Sequence, residues 1–139
     1  MEWAQHKLVP QVPPRFPRVD RPHLRRNVLT DRARAQVLAA HTHTNYLYRM
    51  TVLYSISALA PSMSSDILVG TMIPVPLQMA SDPVANVRLV AAQTLRQTIA
   101  LLDPAVVLDR VKPCLSGMTS DNDQDVRYFA SQALQAIRY

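Results

Sequence analysis

The sequence predicts an all-α protein, a solenoid of about two and a half antiparallel helix pairs. The prediction depends on an internal repeat, because the interval from Arg49 to Arg88 equals both the interval from Arg88 to Arg127 and that from Pro74 to Pro113. A period of about 40 residues is typical of stacked helix pairs, in which each pair buries its apolar faces against its neighbours. Such arrays present extended surfaces, so the period favours binding over catalysis.

The second helix of each pair is predicted from an apolar stripe that follows the arginine period. Its members are spaced by three and four residues, as on one face of an α-helix. Most of the equivalent positions, one repeat earlier and one repeat later, are also apolar or small. We therefore expect three such helices to pack through this stripe. In the middle copy the stripe consists of Val87, Val90, Ala91, Thr94, Leu95 and Thr98.

The first helices of the two complete pairs are predicted over residues 66–80 and 104–119. Ser65 or Asp66 is the expected cap of the earlier helix, because either side chain can accept a hydrogen bond from a free N–H group of the first turn. Asp103 is the expected cap of the later helix, where a proline follows at the tolerated first position.

Prolines fall inside both of these first helices. Pro74 and Pro113 each remove a backbone donor, and we expect a bend at the same place in both helices. Pro76 adds a second interruption to the earlier helix, and the sequence offers no structural benefit for it.

The composition is that of one helical domain. The chain has 139 residues, 48% of them hydrophobic, with two glycines and two phenylalanines. No apolar run reaches the length of a membrane span, and the N-terminus lacks the apolar core of a secretory signal. The single cysteine, Cys114, excludes an intramolecular disulfide and favours a reducing compartment. We expect a cytoplasmic location, with the nucleus as the other compartment that fits.

The net charge of +5 belongs to one segment, residues 13–44. Four closely spaced prolines exclude regular structure at its start, whereas residues 25–40 can form a short helix. We expect a disordered, solvated insertion. The alternative is a basic arm that binds nucleic acid on a helical support, but only Phe16 is available to stack on bases. The arginines of the segment are Arg15, Arg18, Arg21, Arg25, Arg26, Arg32 and Arg34.

No pattern of catalytic or metal-binding residues appears in the sequence. His41 and His43 have no accompanying cysteine or carboxylate cluster for zinc. The aspartates of residues 121–125 lack the central glycine and final glutamate of a calcium loop. Gly-rich phosphate loops are also missing. We therefore predict no enzymatic activity, no cofactor and no metal, and we interpret Cys114 as a buried structural thiol.

Four strings of residues resemble the final HEAT repeats of the scaffold subunit (the A, or regulatory, subunit) of protein phosphatase 2A. The most specific is Asp-Pro-Val-Ala-Asn-Val-Arg at residues 82–88. Residues 2–12 are also similar to the first helix of the repeat before these. The resemblance therefore covers residues 2–12 and 45–139. The four strings lie at residues 45–51, 82–88, 111–113 and 125–130.

The resemblance divides the chain into three parts. Residues 1–12 are the remnant of a first helix, residues 13–44 are an insertion, and residues 45–139 contain the second helix of that repeat and two full repeats. In the family a short turn joins the two helices, and here the connection is longer by roughly 25 residues, far beyond an ordinary helix–helix connection. The insertion is either a lineage-specific loop or translated non-coding sequence, and its unrelated composition favours the second.

The resemblance implies a non-catalytic scaffold. In the family, the C-terminal repeats hold the phosphatase catalytic subunit through the turns that join the two helices of a repeat. The N-terminal repeats bind a regulatory subunit, and nothing in this chain matches them. A truncated product without function is the remaining alternative. Carried over by position, the implied contacts are Asp82, Pro83, Val84, Ala85, Asp121, Asp123 and Gln124.

The position of these turns and the apolar area of Val84 favour binding. They protrude from one edge of the stack, and Val84 offers apolar area whose burial yields about 25 cal/mol per Å² before the costs of association. The alternative is that Asp82 and Asp121 only cap the second helices, where the helix dipole favours a negative charge.

The repeating arginines have an expected structural role. Each opens a second helix, and a pair between an arginine and an acid of the adjacent turn would join consecutive repeats. We predict that Arg49, Arg88 and Arg127 form such a ladder instead of contacting a partner.

Overall fold

All regular structure in the described part of the protein is helical. The computed structural model describes residues 31, 32, 34–37 and 39–139, and no strand occurs among them. The predicted all-α solenoid is confirmed. Between residues 46 and 135 the α-helices are, in chain order, α1 (Tyr46–Leu59), α2 (Ser65–Ile67), α3 (Pro74–Met79), α4 (Ala85–Thr98), α5 (Pro104–Val106), α6 (Lys112–Met118) and α7 (Gln124–Gln135).

The three long helices α1, α4 and α7 are the second helices of successive pairs. Their first residues are separated by the repeat interval of the arginines, and the three helices pack side by side. The shorter α3 and α6 pack against the long helix that follows each of them. The predicted stripe is buried in α4, where Val87, Ala91 and Leu95 have no solvent exposure. A short 3₁₀ segment ends α1 at Ala60–Ser62 and ends α4 at Ile99–Leu101.

The first helix of each complete pair consists of two α-helical pieces joined by a π-helical turn. The turns span Leu68–Met72, between α2 and α3, and Val107–Val111, between α5 and α6. In the earlier turn the N–H of Ile73 donates to the carbonyl of Leu68 at 2.9 Å. That bond is one residue longer than the bond of an α-helix. The two wide turns occupy equivalent positions in the repeat.

A proline follows each π turn, which gives the turns a physical cause. Pro74 is the first residue of α3 and Pro113 is the second residue of α6. A proline in a regular α-helix removes one hydrogen bond and presses its ring against the carbonyl of the preceding turn. The π turn comes immediately before each proline-containing piece. The proline therefore stands at the start of a new α-helical piece and not in the middle of a regular one. The sequence predicted a disturbance at both prolines but not its π-helical form.

Pro76 also has a structural account. It is the third residue of α3 and is buried in the core. The first N–H groups of a helix have no acceptor within that helix, so a proline at this position gives up little hydrogen bonding.

The caps of the first helices follow the prediction in one case and differ in the other. Asp103 is the N-cap of α5 and accepts from the N–H of Ala105 at 2.9 Å, as predicted. At α2 the N-cap is Ser64, with no side-chain hydrogen bond, so the predicted caps Ser65 and Asp66 are wrong. Both of those residues lie inside the first turn, where their own N–H groups need acceptors.

Helical residues also precede α1. Val37 is only 2% exposed and belongs to the core. It stands one repeat interval before Pro76 and two before Leu115, which are buried in the first helices of the later pairs. The described residues between 31 and 40 therefore occupy the register of a first helix.

Residues 31, 32, 34–37, 39 and 40 are helical, within the range 25–40 that the sequence allowed as a short helix. The disordered insertion expected over residues 13–44 does not extend to these residues, and it stays a prediction for residues 13–30. Burial of Val37 provides an apolar contact that the charge pattern alone did not indicate. The remnant helix at residues 1–12 and the basic residues 13–30 lie outside the described residues.

Within the described part, no helix combines the length and the apolar character required to cross a membrane.

Candidate partner-binding edge

The turns between the first and second helices of each pair lie at one edge of the stack. One turn connects α3 to α4 and the next connects α6 to α7, while residues 41–45 form the corresponding turn before α1. We call this the turn edge. The connections that follow α1 and α4, at residues 60–64 and 99–103, lie at the opposite ends of the helices.

Two arginines join consecutive turns by bidentate ion pairs. The Nε of Arg49 donates to Asp82 Oδ2 at 2.8 Å, and its Nη2 donates to Asp82 Oδ1 at 3.0 Å. Arg88 repeats this geometry with Asp121, at 2.9 Å and 3.0 Å. Parallel contacts of this kind match the planar guanidinium to the carboxylate. They connect helix pairs that are successive along the chain.

The same arginines also bind the turn that precedes their own helix. The Nη1 of Arg49 donates to the carbonyl of His43 at 2.8 Å, and the Nη1 of Arg88 donates to the carbonyl of Asp82 at 2.8 Å. Arg127 makes this contact with the carbonyl of Asp121 at 2.7 Å. The guanidinium groups of Arg49 and Arg88 thus each bind two successive turns.

Within the described part of the chain, Arg127 binds only the turn that precedes its own helix. Its Nη1 also donates to the carbonyl of Asn122 at 3.2 Å. The ion pairs found among the described residues are Arg49–Asp82 and Arg88–Asp121, so no described carboxylate pairs with the guanidinium of Arg127. The structure therefore places two of the three predicted ladder arginines in contact with an adjacent turn.

The ladder pairs are largely shielded from solvent. The side chains of Arg88 and Asp121 are 16% and 12% exposed, and that of Asp82 is 8% exposed. The hydrogen bonds from Arg88 lower the pKa of the Asp121 carboxyl below its ordinary value of 3.8, although desolvation acts in the opposite direction. The same pair raises the pKa of Arg88. Both groups are thus charged at neutral pH.

Asp82 and Asp121 shape the turns without capping the helices. Asp82 Oδ1 accepts from the N–H of Val84, and Asp121 Oδ1 accepts from the N–H of Asp123, both at 2.9 Å. This is the local contact of an Asx-turn. The cap of α7 is Asp123, and the N-cap of α4 is Val84, which makes no side-chain hydrogen bond. The alternative that Asp82 and Asp121 cap the second helices is wrong, because they lie two residues before the N-cap positions.

The predicted contact residues differ in their accessibility. Asp82 and Asp121 are occupied by the ladder, as described above. Pro83 and Gln124 are exposed, while Val84, Ala85 and Asp123 are half-buried. Val84 packs partly against the core, so it presents less apolar area than a fully exposed valine would. The structure brings the exposed members of both turns to the turn edge.

Exposed residues near the turns were missed by the sequence analysis. Tyr46 and Leu47, in the first turn of α1, are 40% and 55% exposed. Asn122 and Asp125, which the sequence already placed in the acidic turn, are exposed beside Asp123. The sequence did contain a signal for the first two, because neighbouring bulky residues in one helical turn cannot all face the core.

The turn before α1 uses its histidines for local hydrogen bonds. His41 Nδ1 lies 2.7 Å from the carbonyl of Val37, and His43 Nδ1 accepts from the N–H of Asn45 at 3.0 Å. The ring of His43 also lies against Tyr48, with 4.4 Å between centroids. Among the residues that the structure describes, no three His, Cys, Asp or Glu side chains are grouped to hold a metal ion.

Cys114, predicted to be a buried structural thiol, is half-buried in α6. It packs against the core. Desolvation raises the pKa of its thiol, which disfavours the reactive thiolate.

Known proteins with similar sequences include regulatory subunits of the phosphatase PP2A. The protein is 44% identical over 59 residues to the serine/threonine-protein phosphatase PP2A 65 kDa regulatory subunit of Drosophila melanogaster, across 42% of this chain. It is 39% identical over 51 residues, or 37% of this chain, to a PP2A regulatory subunit of Schizosaccharomyces pombe. A match to the corresponding PP2A regulatory subunit of Saccharomyces cerevisiae is 28% identical over 96 residues, or 65% of this chain.

These matches cover small parts of the relatives. The matched stretches are 10%, 9% and 15% of the lengths of the three relatives. No protein-family model matches the chain. The predicted resemblance to PP2A regulatory subunits is confirmed over these stretches.

Proposed function

We propose that this chain is a non-catalytic scaffold segment that binds the catalytic subunit of a PP2A-like serine/threonine phosphatase through its turn edge. The similarity to regulatory subunits supports the non-catalytic role. The observation that carries the binding role is the alignment of exposed residues from two successive turns on one edge. Cytoplasm and nucleus are the compartments that this role implies.

The ladder gives the turn edge the rigidity that binding needs. The Arg49–Asp82 and Arg88–Asp121 pairs hold the turns in position before any partner arrives. A preorganised surface loses less conformational entropy on association than a flexible one. Asp82 and Asp121 thus support the edge from within, and they are not direct contacts in this proposal.

The direct contacts are the exposed and half-exposed members of the turns. Pro83 and Val84 supply apolar area in one turn. In the next turn, Asp123 and Gln124 supply polar groups, with the exposed Asp125 beside them. The two adjacent turns together make an extended surface, apolar in one turn and acidic in the next. A partner with apolar and basic groups at the same spacing would complement it.

The test is retention of a purified PP2A catalytic subunit by the immobilised full chain. The decisive variant is Val84→Asp, which puts a charge at the centre of the proposed contact. Aspartate is favoured at an N-cap, so this change is compatible with α4. Retention should fall by about tenfold or more, since an unpaired interfacial charge costs at least ~1.4 kcal/mol.

Leu101→Asp is the matched control. Leu101 is 39% exposed and lies at the end of α4 that is opposite to the turn edge. The same charge there should leave retention unchanged. Absence of retention by the unmodified chain, or equal losses in both variants, would overturn the proposal. Loss on deletion of residues 13–30, with Val84→Asp harmless, would instead assign binding to the basic segment.

A further inference from the structure

Arg127 is the one member of the ladder whose guanidinium receives no carboxylate among the described residues. Arg49 and Arg88 each use Nη1 for their own turn and the Nε and Nη2 pair for the aspartate of the next turn. Arg127 occupies the third equivalent position and is exposed. Its Nε and Nη2 donate to no acceptor among the described residues.

The guanidinium of Arg127 is held as the other two are. Its Nη1 lies 2.7 Å and 3.2 Å from the carbonyl oxygens of Asp121 and Asn122. The corresponding distances for Arg88 are 2.8 Å and 3.3 Å, to Asp82 and Pro83. The two carbonyl contacts restrict the guanidinium in the same way, so its free side faces the place where the next carboxylate would lie.

We propose that Arg127 is a preorganised binding site for a carboxylate, filled by an aspartate on a turn of a protein partner. The two occupied rungs serve as the template, because each receives a carboxylate in bidentate geometry, with every donor–acceptor distance between 2.8 Å and 3.0 Å. Arginine is suited to this role since its planar fork matches both carboxylate oxygens.

Nearby acids of the chain do not fill the site. The Asp123 carboxylate accepts from the N–H groups of Asp125 and Val126. Asp125 is exposed and forms no ion pair among the described residues. Asp121 receives Arg88. The carboxylate for Arg127 therefore comes from outside the described fold.

A second copy of this chain, stacked in the same register, does not provide the ligand. The position of Asp82 and Asp121 is taken in the first turn by His43, which has no carboxylate. In this proposal the partner presents an aspartate on a protruding turn, in the manner of Asp82. Carboxylate binding at Arg127 does not depend on phosphatase binding at the turn edge, and it can be measured without a phosphatase.

The first test is titration of the ¹⁵N-labelled full chain with acetate, followed through the Nε–Hε resonances of its arginines at mildly acidic pH. Arg127 should show a saturable shift, with binding about tenfold tighter than at an unorganised guanidinium. Arg96 and Arg110 are the unorganised controls, since both are exposed and neither makes a side-chain hydrogen bond in the described part. Arg49 and Arg88 are occupied and should not respond.

The second test distinguishes a turn aspartate from a free carboxylate. The probe is the blocked peptide Ser-Asp-Pro-Val-Ala-Asn, which copies residues 81–86, and its control carries Asn in place of Asp. The Asp peptide should shift the backbone amides of residues 122 and 128, and the Asn peptide should not. Arg127→Lys keeps the charge but loses the fork, so it should abolish the shift.

Three results would overturn the inference. One is an acetate response of Arg127 that matches those of Arg96 and Arg110, which would mean that the fork is not preorganised. Another is an Asp-peptide shift that persists in Arg127→Lys, which would mean that positive charge alone is recognised. Binding of acetate without any binding of the Asp peptide would exclude the turn aspartate as the ligand.

Discussion

At the scale of single residues, Arg49 and Arg88 each combine a local contact with a long-range contact. Arg88 binds the carbonyl oxygens of the turn before its own helix and the carboxylate of the turn in the next pair. The local contact orients the guanidinium, which lowers the entropy lost when the long-range pair forms. Both contacts contribute to the free energy of unfolding. Because Arg127 makes only the local contact, a comparison of alanine variants at Arg88 and Arg127 separates the two contributions.

Arg88→Ala should lower the free energy of unfolding by about 1–3 kcal/mol, because it leaves the shielded Asp121 carboxylate without its partner. Urea unfolding of the full chain measures the change. Arg127→Ala is the matched control, since it removes only the carbonyl contacts and should cost less than about half as much. Equal effects of the two variants, or no change in Arg88→Ala, would contradict a stabilising ladder.

The Arg88–Asp121 pair should also make the free energy of unfolding depend on pH in the acidic range. The pKa of Asp121 is depressed in the folded protein, so the pair stabilises the fold above the ordinary value of 3.8. This stability is lost as the pH falls from about that value through the lower folded-state pKa. The difference in unfolding free energy between the unmodified chain and Arg88→Ala should shrink over this range. A constant difference across it would show that the pair does not titrate with folding.

At the scale of helices, the repeat determines irregularities as well as regular structure. The π turns at Leu68–Met72 and Val107–Val111 precede Pro74 and Pro113 in the same way. Each proline thus begins or nearly begins a new α-helical piece, where its missing N–H group matters little. The first helices are two-part elements for this reason, and the second helices α1, α4 and α7, which contain no proline, are continuous.

Val37→Asp should lower the free energy of unfolding by about 2–4 kcal/mol, because Val37 is 2% exposed and aspartate would bury an unpaired charge there. Gln36→Asp is the control, since Gln36 is exposed in the same helical segment and its change should have little effect. Both are compared by urea unfolding of the full chain. If Val37→Asp were as mild as the control, the helix before α1 would not contribute to the core.

Across the described solenoid as a whole, the two ends of the helices have different surfaces. The turn edge carries the ladder and the exposed residues of successive turns, including Pro83 and Gln124. The opposite ends carry the 3₁₀ segments and Leu101. In a solenoid each pair contacts only its neighbours, so a ladder along one edge joins each helix pair to the next one along the chain. The comparison of Val84→Asp with Leu101→Asp uses this difference between the edges.

Residue order alone establishes the repeat and therefore the fold class. The repeat interval and the helical spacing of the apolar stripe are properties of residue order. Burial of the Val87 stripe follows from them, because an apolar stripe needs a neighbouring surface. The resemblance at residues 82–88 also required no coordinates. These features are local or periodic, so they are visible before any helix is placed against another.

Packing of the helices, in contrast, settles which acids are free and which are occupied. By sequence, Asp82, Asp121 and Asp123 fall in one class of contact residue. In the fold the first two receive arginines of the preceding long helix, while Asp123 caps α7. The sequence likewise did not show that Val37 enters the core or that Arg127 keeps an unfilled fork. These outcomes depend on distances between elements, which residue order does not specify until the helices are packed.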